Sequence, residues 1–121
     1  MKNKFGFILV KPQLGENIGS CARSLKNFDF SKLDIVLPKQ PWPNNKAKAT
    51  SVGAYDVIKK AKIFNNTHKA IANYDIVVSL SARKRDINKR HISIKQFLKI
   101  IKIKKKYKLW FNVWSRSLWL V

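Results

Sequence analysis

Cysteine occurs once in this chain of 121 residues, at Cys21, which excludes an internal disulfide and a four-cysteine zinc site and suits a reducing compartment. Histidine is almost as scarce: His68 and His91 stand apart, and no metal centre is expected from them. Long apolar runs are missing too. Nothing approaches the roughly 18 residues that a membrane helix requires, and the N-terminus lacks the apolar stretch and small-residue cleavage site of a secretory signal. The composition therefore predicts a soluble, cytoplasmic chain with no membrane partner. Its length suits one modest domain with a real core and is short for two.

Acidic residues are the most consequential shortage. Six Asp and Glu stand against 26 Lys and Arg, a formal net charge of +20. Such an excess points to a polyanionic partner, because clustered cations gain affinity by releasing condensed counterions from a phosphate backbone. RNA or DNA is the expected class. A second reading stands beside it. Only five of the 26 basic residues are Arg, and Lys, Ile and Asn are all abundant, so part of the charge can reflect an A/T-rich coding sequence on a solvated surface.

What is present alternates between strand and helix patterns. Phe5–Val10 (FGFILV) is a short apolar run ended by Lys11 and Pro12, the pattern of a buried strand. Over residues 17–30, Ile18, Cys21, Ala22, Leu25 and Phe28 recur three and four apart, the stripe of an amphipathic helix. A second strand is expected over 33–37 (LDIVL), stopped by Pro38, then a surface loop over 39–46. Residues 47–61 predict a helix broken near Gly53, with a short strand over 61–64 and a short helix over 67–72 capped by Thr67. DIVVSL at 75–80 is the third clear strand, and residues 93–103 predict a helix with Ile94, Phe97, Leu98 and Ile101 on one face. This order implies an α/β fold, a mostly parallel sheet with flanking helices.

In such sheets, functional groups gather where strands end and helices begin. Two corners are rich in polar residues. The first is GENIGSCAR at 15–23, where Gly15 and Gly19 permit close backbone approach, Asn17 can donate and accept, and Arg23 follows six residues on. The second is SLSARKR at 79–85, in which Arg83 and Arg85 are planar, bidentate candidates for phosphate contacts or, more plainly, part of a solvated loop. A dinucleotide-binding fold is disfavoured, since GENIGS has the wrong glycine spacing and no acidic residue closes the second strand. Cys21 is expected to pack on the inner face of its helix, because a catalytic thiol would need a paired base that the sequence does not offer.

ILVKPQLGENIGSCARSLKNF is similar to the first motif of SpoU-type RNA 2′-O-methyltransferases of the SPOUT superfamily, most like the TrmJ branch acting on tRNA. The likeness continues through VGAYDVIKKAKIF and DIVVSLSARKRD with their spacing, over about residues 5–93. It implies a trefoil-knotted α/β fold, a homodimer, and methyl transfer from S-adenosylmethionine to a ribose 2′-hydroxyl of RNA. Asn17 and Arg23 match the family's catalytic pair. Leu80, Ser81 and Ala82 match one side of its S-adenosylmethionine pocket, while Arg23, Arg83 and Arg85 would meet RNA. A guanidinium with a pKa above about 12 is a poor base, so the expected role of Arg23 is to hold a phosphate or the developing alkoxide.

The tail departs from that pattern. Family members continue with a glycine-rich loop of the form GxxFGxExxGL and a knotted segment that wraps the cofactor, whereas this chain reads LWFNVWSRSLWLV over 109–121. Three of its four tryptophans, Trp110, Trp114 and Trp119, fall there. Tryptophan has the single codon TGG, which read one base later always gives glycine, and the spacing of four and then five residues is that of the loop's glycines. With permitted codons the shifted frame reads YGLMFGPEASGL. The expected organisation is thus residues 1–108 as the front part of a methyltransferase domain lacking the C-terminal knot, and 109–121 as an out-of-frame tail. Residues 109–113 can still add a strand, and the remainder would leave exposed tryptophans and an unpaired sheet edge. The expected function is family membership without activity or cofactor binding by this chain alone, and without the family's homodimer. The alternatives are a non-catalytic basic RNA-binding module and an unstable pseudogene product.

Overall fold

The computed structural model describes residues 5–80, 92–103 and 109–114. Five strands form one sheet in the order β3-β2-β1-β5-β4, every neighbouring pair parallel. The strands are β1 (Phe5–Val10), β2 (Leu33–Val36), β3 (Ile63–Phe64), β4 (Ile76–Leu80) and β5 (Leu109–Trp114). The helices are α1 (Gly15–Asn27), α2 (Asn45–Thr50), α3 (Tyr55–Lys60), α4 (Thr67–Ile71) and α5 (Ile94–Ile103).

Alternation along β1 and β2 divides the core between the two sheet faces. Leu9, Leu33 and Ile35 pack with Ile18, Ala22 and Leu25 of α1, Ala47 of α2 and Val57 and Ile58 of α3. Phe30, after α1, closes this layer edge-on against Phe5 and Phe7, with ring centroids 5.9 and 5.1 Å apart. Ile8, Val10 and Val36 face the other way, onto Ala70 of α4 with Phe64, Ile71 and Tyr74. The four residues of β2 are all buried, including Asp34, whose carboxylate accepts the Lys62 N–H at 3.1 Å.

The expected break near Gly53 separates α2 from α3, and Gly53 takes the left-handed φ of +76°. The short helix α4 begins at Thr67, but its cap is Asn66, whose side chain accepts the Lys69 N–H at 2.8 Å. Asn66 wins because its carbonyl stands one residue earlier, within reach of the third helical N–H. A reciprocal pair opens α5: Ser93 Oγ accepts from the Gln96 N–H at 3.2 Å, and Gln96 Oε1 accepts from the Ser93 N–H at 2.9 Å. The strand expected at 109–113 forms as β5. It is paired on both sides, to β1 and β4, so the outer strands among the described residues are β3 and β4. Residues 115–121, where the remaining tail was expected to be exposed, lie outside the described residues. No helix among the described residues is long and apolar enough to cross a membrane.

Candidate functional site

From β1 the chain moves outward through β2 to β3, then crosses to β4 and returns through β5, which lies beside β1. The direction of winding therefore reverses between β1 and β5. In open parallel sheets the crevice at the carboxyl edge of such a reversal is where ligands bind. The backbone there is under local strain. Lys11, directly after β1, and Leu37, directly after β2, both take left-handed φ values, 52° and 46°, without being glycine. The two corners are tied together, Lys11 N–H donating to Val36 O at 2.7 Å and Lys39 N–H to Pro12 O at 3.0 Å.

Helix α1 starts at this edge with Leu14 in the cap position and no side chain accepting its first N–H groups. Its two glycines allow close approach to protein rather than to a ligand. A Cβ on Gly15 would run into the side chain of Asn44, and one on Gly19 would meet the Thr50 hydroxyl, Ala47 O at 2.6 Å and Ser51 N at 2.9 Å. Asn44 in turn caps α2, accepting the Lys46 and Ala47 N–H groups at 2.9 and 3.1 Å and donating to Gln40 at 3.2 Å. Half-buried Glu16 bridges the same two helices. Its main-chain oxygen accepts from Thr50 at 3.3 Å and its Oε1 lies 3.7 Å from Lys46 Nζ, while Oε2 is buried with no hydrogen-bond partner among the described residues.

The residues expected to act are placed as follows. Asn17 is half-buried in the first turn of α1, and its N–H donates to Leu14 O at 3.2 Å. Arg23 is exposed and, among the described residues, makes no ion pair. Six residues of helix separate them by about 9 Å along the axis and roughly 120° around it, so the side chains leave α1 in different directions. Cys21 packs half-buried against the core, and burial pushes its thiol up to about 11, which keeps it protonated and poorly nucleophilic. At the second corner Ser79 is exposed, and Leu80 ends β4 opposite Val113 of β5. Ser81, Ala82, Arg83 and Arg85 lie outside the described residues, so the structure describes the first corner and only the threshold of the second.

Sequence reasoning passed over Glu16, Lys11, Lys39 and Asn44. A lysine just after a strand and an asparagine in a loop carry little local signal, and only pairing of β1 with β2 brings them beside α1.

Comparison with known proteins agrees with this geometry. The model of the SpoU rRNA Methylase family matches residues 4–111. The tRNA (cytidine-2′-O-)-methyltransferase TrmJ of Methanocaldococcus jannaschii is 39% identical over 88 residues, 72% of this chain and 38% of that protein. The tRNA (cytidine/uridine/adenosine-2′-O-)-methyltransferase TrmJ of Pseudomonas aeruginosa is 32% identical over 87 residues, 72% of this chain and 34% of that protein. Among solved structures, TrmJ from Zymomonas mobilis superposes with a TM-score of 0.82 at 33% identity, covering 93% of this chain and 50% of that one. A probable methyltransferase from Bordetella pertussis shares the fold at TM-score 0.80 and 24% identity, covering 94% of this chain and 72% of that one. The chain thus spans well under half the length of the curated relatives it matches.

Proposed function

Because this chain belongs to the SpoU rRNA methylase family, we propose that it represents the substrate-side half of a tRNA ribose 2′-O-methyltransferase and does not transfer a methyl group by itself. The observation that carries this reading is the placement of GENIGSCAR: α1 begins at the carboxyl edge where the winding of the sheet reverses, with Asn17 in its first turn. In the complete site Arg23 holds a phosphate or the oxygen of the attacking 2′-hydroxyl, an electrostatic role a guanidinium can fill at any ordinary pH. Asn17, whose side chain leaves α1 in a different direction, donates through its amide to another part of the same substrate.

S-adenosylmethionine supplies an electrophilic methyl on a sulfonium, and the cofactor side of this chain fits it poorly. The only glycines are Gly6, Gly15, Gly19 and Gly53, so none lies in β4, in β5 or in the segments that follow them. Close passage of backbone along an adenosine needs positions without a Cβ. In the shifted frame, Trp110, Trp114 and Trp119 would all become glycine, two of them within β5 and one beyond its end. Residues 1–108 are then the front of the domain, Leu80, Ser81 and Ala82 one wall of its pocket, and 109–121 an out-of-frame tail.

Two measurements test this. Calorimetry with S-adenosylmethionine is expected to show no micromolar binding to the chain as translated, whereas micromolar affinity would overturn the reading of an incomplete pocket. Sequencing the gene around codon 108 tests the frame: a shifted frame that does not encode a glycine-rich loop refutes the out-of-frame tail and leaves family membership untouched.

A further inference from the structure

The acidic side chains among the described residues are sorted along the strand direction. Asp29 lies in the turn that leads from α1 into β2, Asp34 near the start of β2, and Asp75 immediately before β4, all at the amino ends of parallel strands. Asp56 is tied at 2.6 Å to Lys26, in the last turn of α1, again away from the carboxyl edge. At the carboxyl edge the sole described carboxylate is Glu16, 3.7 Å from Lys46.

Of the cations at that edge, only Lys46 faces a described carboxylate. Lys11 follows β1 and Lys39 follows β2, and Lys39 N–H donates to the carbonyl oxygen of Pro12, the residue next to Lys11, at 3.0 Å. Lys46 opens α2 beside Glu16, within the start of α1. All three lysines are exposed, and Lys11 and Lys39 make no ion pair among the described residues. At the amino edge Lys26, Lys32, Lys59, Lys60 and Lys62 stand with the four aspartates, whereas at the carboxyl edge three cations stand with one carboxylate, so positive charge is least offset at the carboxyl edge.

We propose that the sugar-phosphate backbone of RNA rests on this carboxyl edge, across Lys11, Lys39 and Lys46, with the amino edge turned away. The proposal deepens the RNA reading above and rests on it. Lysines act here as point charges on flexible stems, so the contact positions a phosphate backbone and carries no base sequence information.

The test compares two triple substitutions of equal charge in the 121-residue chain, by fluorescence anisotropy with an unmodified tRNA transcript over a range of salt. Lys11→Ser, Lys39→Ser and Lys46→Ser together are expected to weaken binding roughly tenfold or more at low salt and to lower the salt slope by about three, one per lost phosphate contact. The control set, Lys59→Ser, Lys60→Ser and Lys62→Ser, removes exposed lysines near the amino edge, beside Asp34, and is expected to change affinity by less than about threefold. Equal losses in both sets overturn the proposal, as does an unchanged affinity in the first. No binding by the unsubstituted chain at low salt sinks the RNA reading itself and this proposal with it. Should the first triple variant lose its fold, the three single variants report the same slope one lysine at a time.

Discussion

Gly19 occupies the point at which α1 and α2 touch, and two of the three atoms a methyl group would meet there belong to backbone. Backbone cannot rotate aside, so Gly19→Ala is expected to destabilise the fold by about 1–3 kcal/mol, read as a lower urea midpoint. Gly15→Ala meets only the Asn44 side chain. It should cost about 1 kcal/mol, the worth of the cap that Asn44 gives up when it moves. If Gly19→Ala leaves the midpoint unchanged, the close helix contact is wrong. The need for glycine was legible in GENIGS, but not what approaches it, because α2 reaches α1 only after Asn44 has turned the chain. Cys21 yields a second residue-scale expectation. Its thiol is raised from near 9 to about 11 by burial, so the folded state favours the protonated form. That stability is complete below about pH 9 and is lost as pH rises toward 11. The unfolding midpoint should fall across that window and hold steadier in Cys21→Ala. An equal fall in both proteins would assign the pH effect to the lysines instead.

At the scale of elements, local patterns were legible wherever one face decides the outcome. The apolar run of β1 and the stripe of Ile18, Cys21, Ala22 and Leu25 on α1 gave the right type within two residues at each start, since burial on one side sets both, whereas Phe28, expected on the same stripe, stands at the C-cap and is exposed. Which strands would pair was not legible, because pairing joins segments far apart in sequence. The last described strand, β5, lies between β1 and β4, in register from Phe5 with Leu109 and from Ile76 with Leu109. A proline there removes a ladder donor and wedges the sheet from within. Phe111→Pro is therefore expected to abolish cooperative unfolding, whereas Ile63→Pro in the two-residue outer strand β3 should leave a measurable transition. Comparable transitions in both variants, followed by circular dichroism, would remove β5 from the centre of the sheet. The second polar corner, at 79–85, was legible as a motif, yet its partners depend on this same central strand.

For the molecule as a whole, the net charge of +20 works against compaction as well as for polyanion binding. With few carboxylates to compensate it, screening should relieve repulsion, so the thermal midpoint is expected to rise between about 10 mM and 300 mM monovalent salt. A midpoint that falls with salt would mean that ion pairs such as Lys26 with Asp56 and Lys46 with Glu16 outweigh the repulsion. RNA affinity should move the opposite way over the same range, because the same ions compete for the phosphates. A tRNA transcript added at low salt should therefore raise the midpoint most where the chain alone is weakest.

The place of β5 also fixes an order of events during synthesis. β1 leaves the ribosome before its inner neighbour, which is made more than a hundred positions later. Until then β1 and β4 have no strand between them, and the half-sheet β3-β2-β1 must wait with one side of β1 open. Contacts of such long sequence separation close slowly. A change within residues 109–114 is thus felt at the middle of the sheet, after β1 to β4 have already been made.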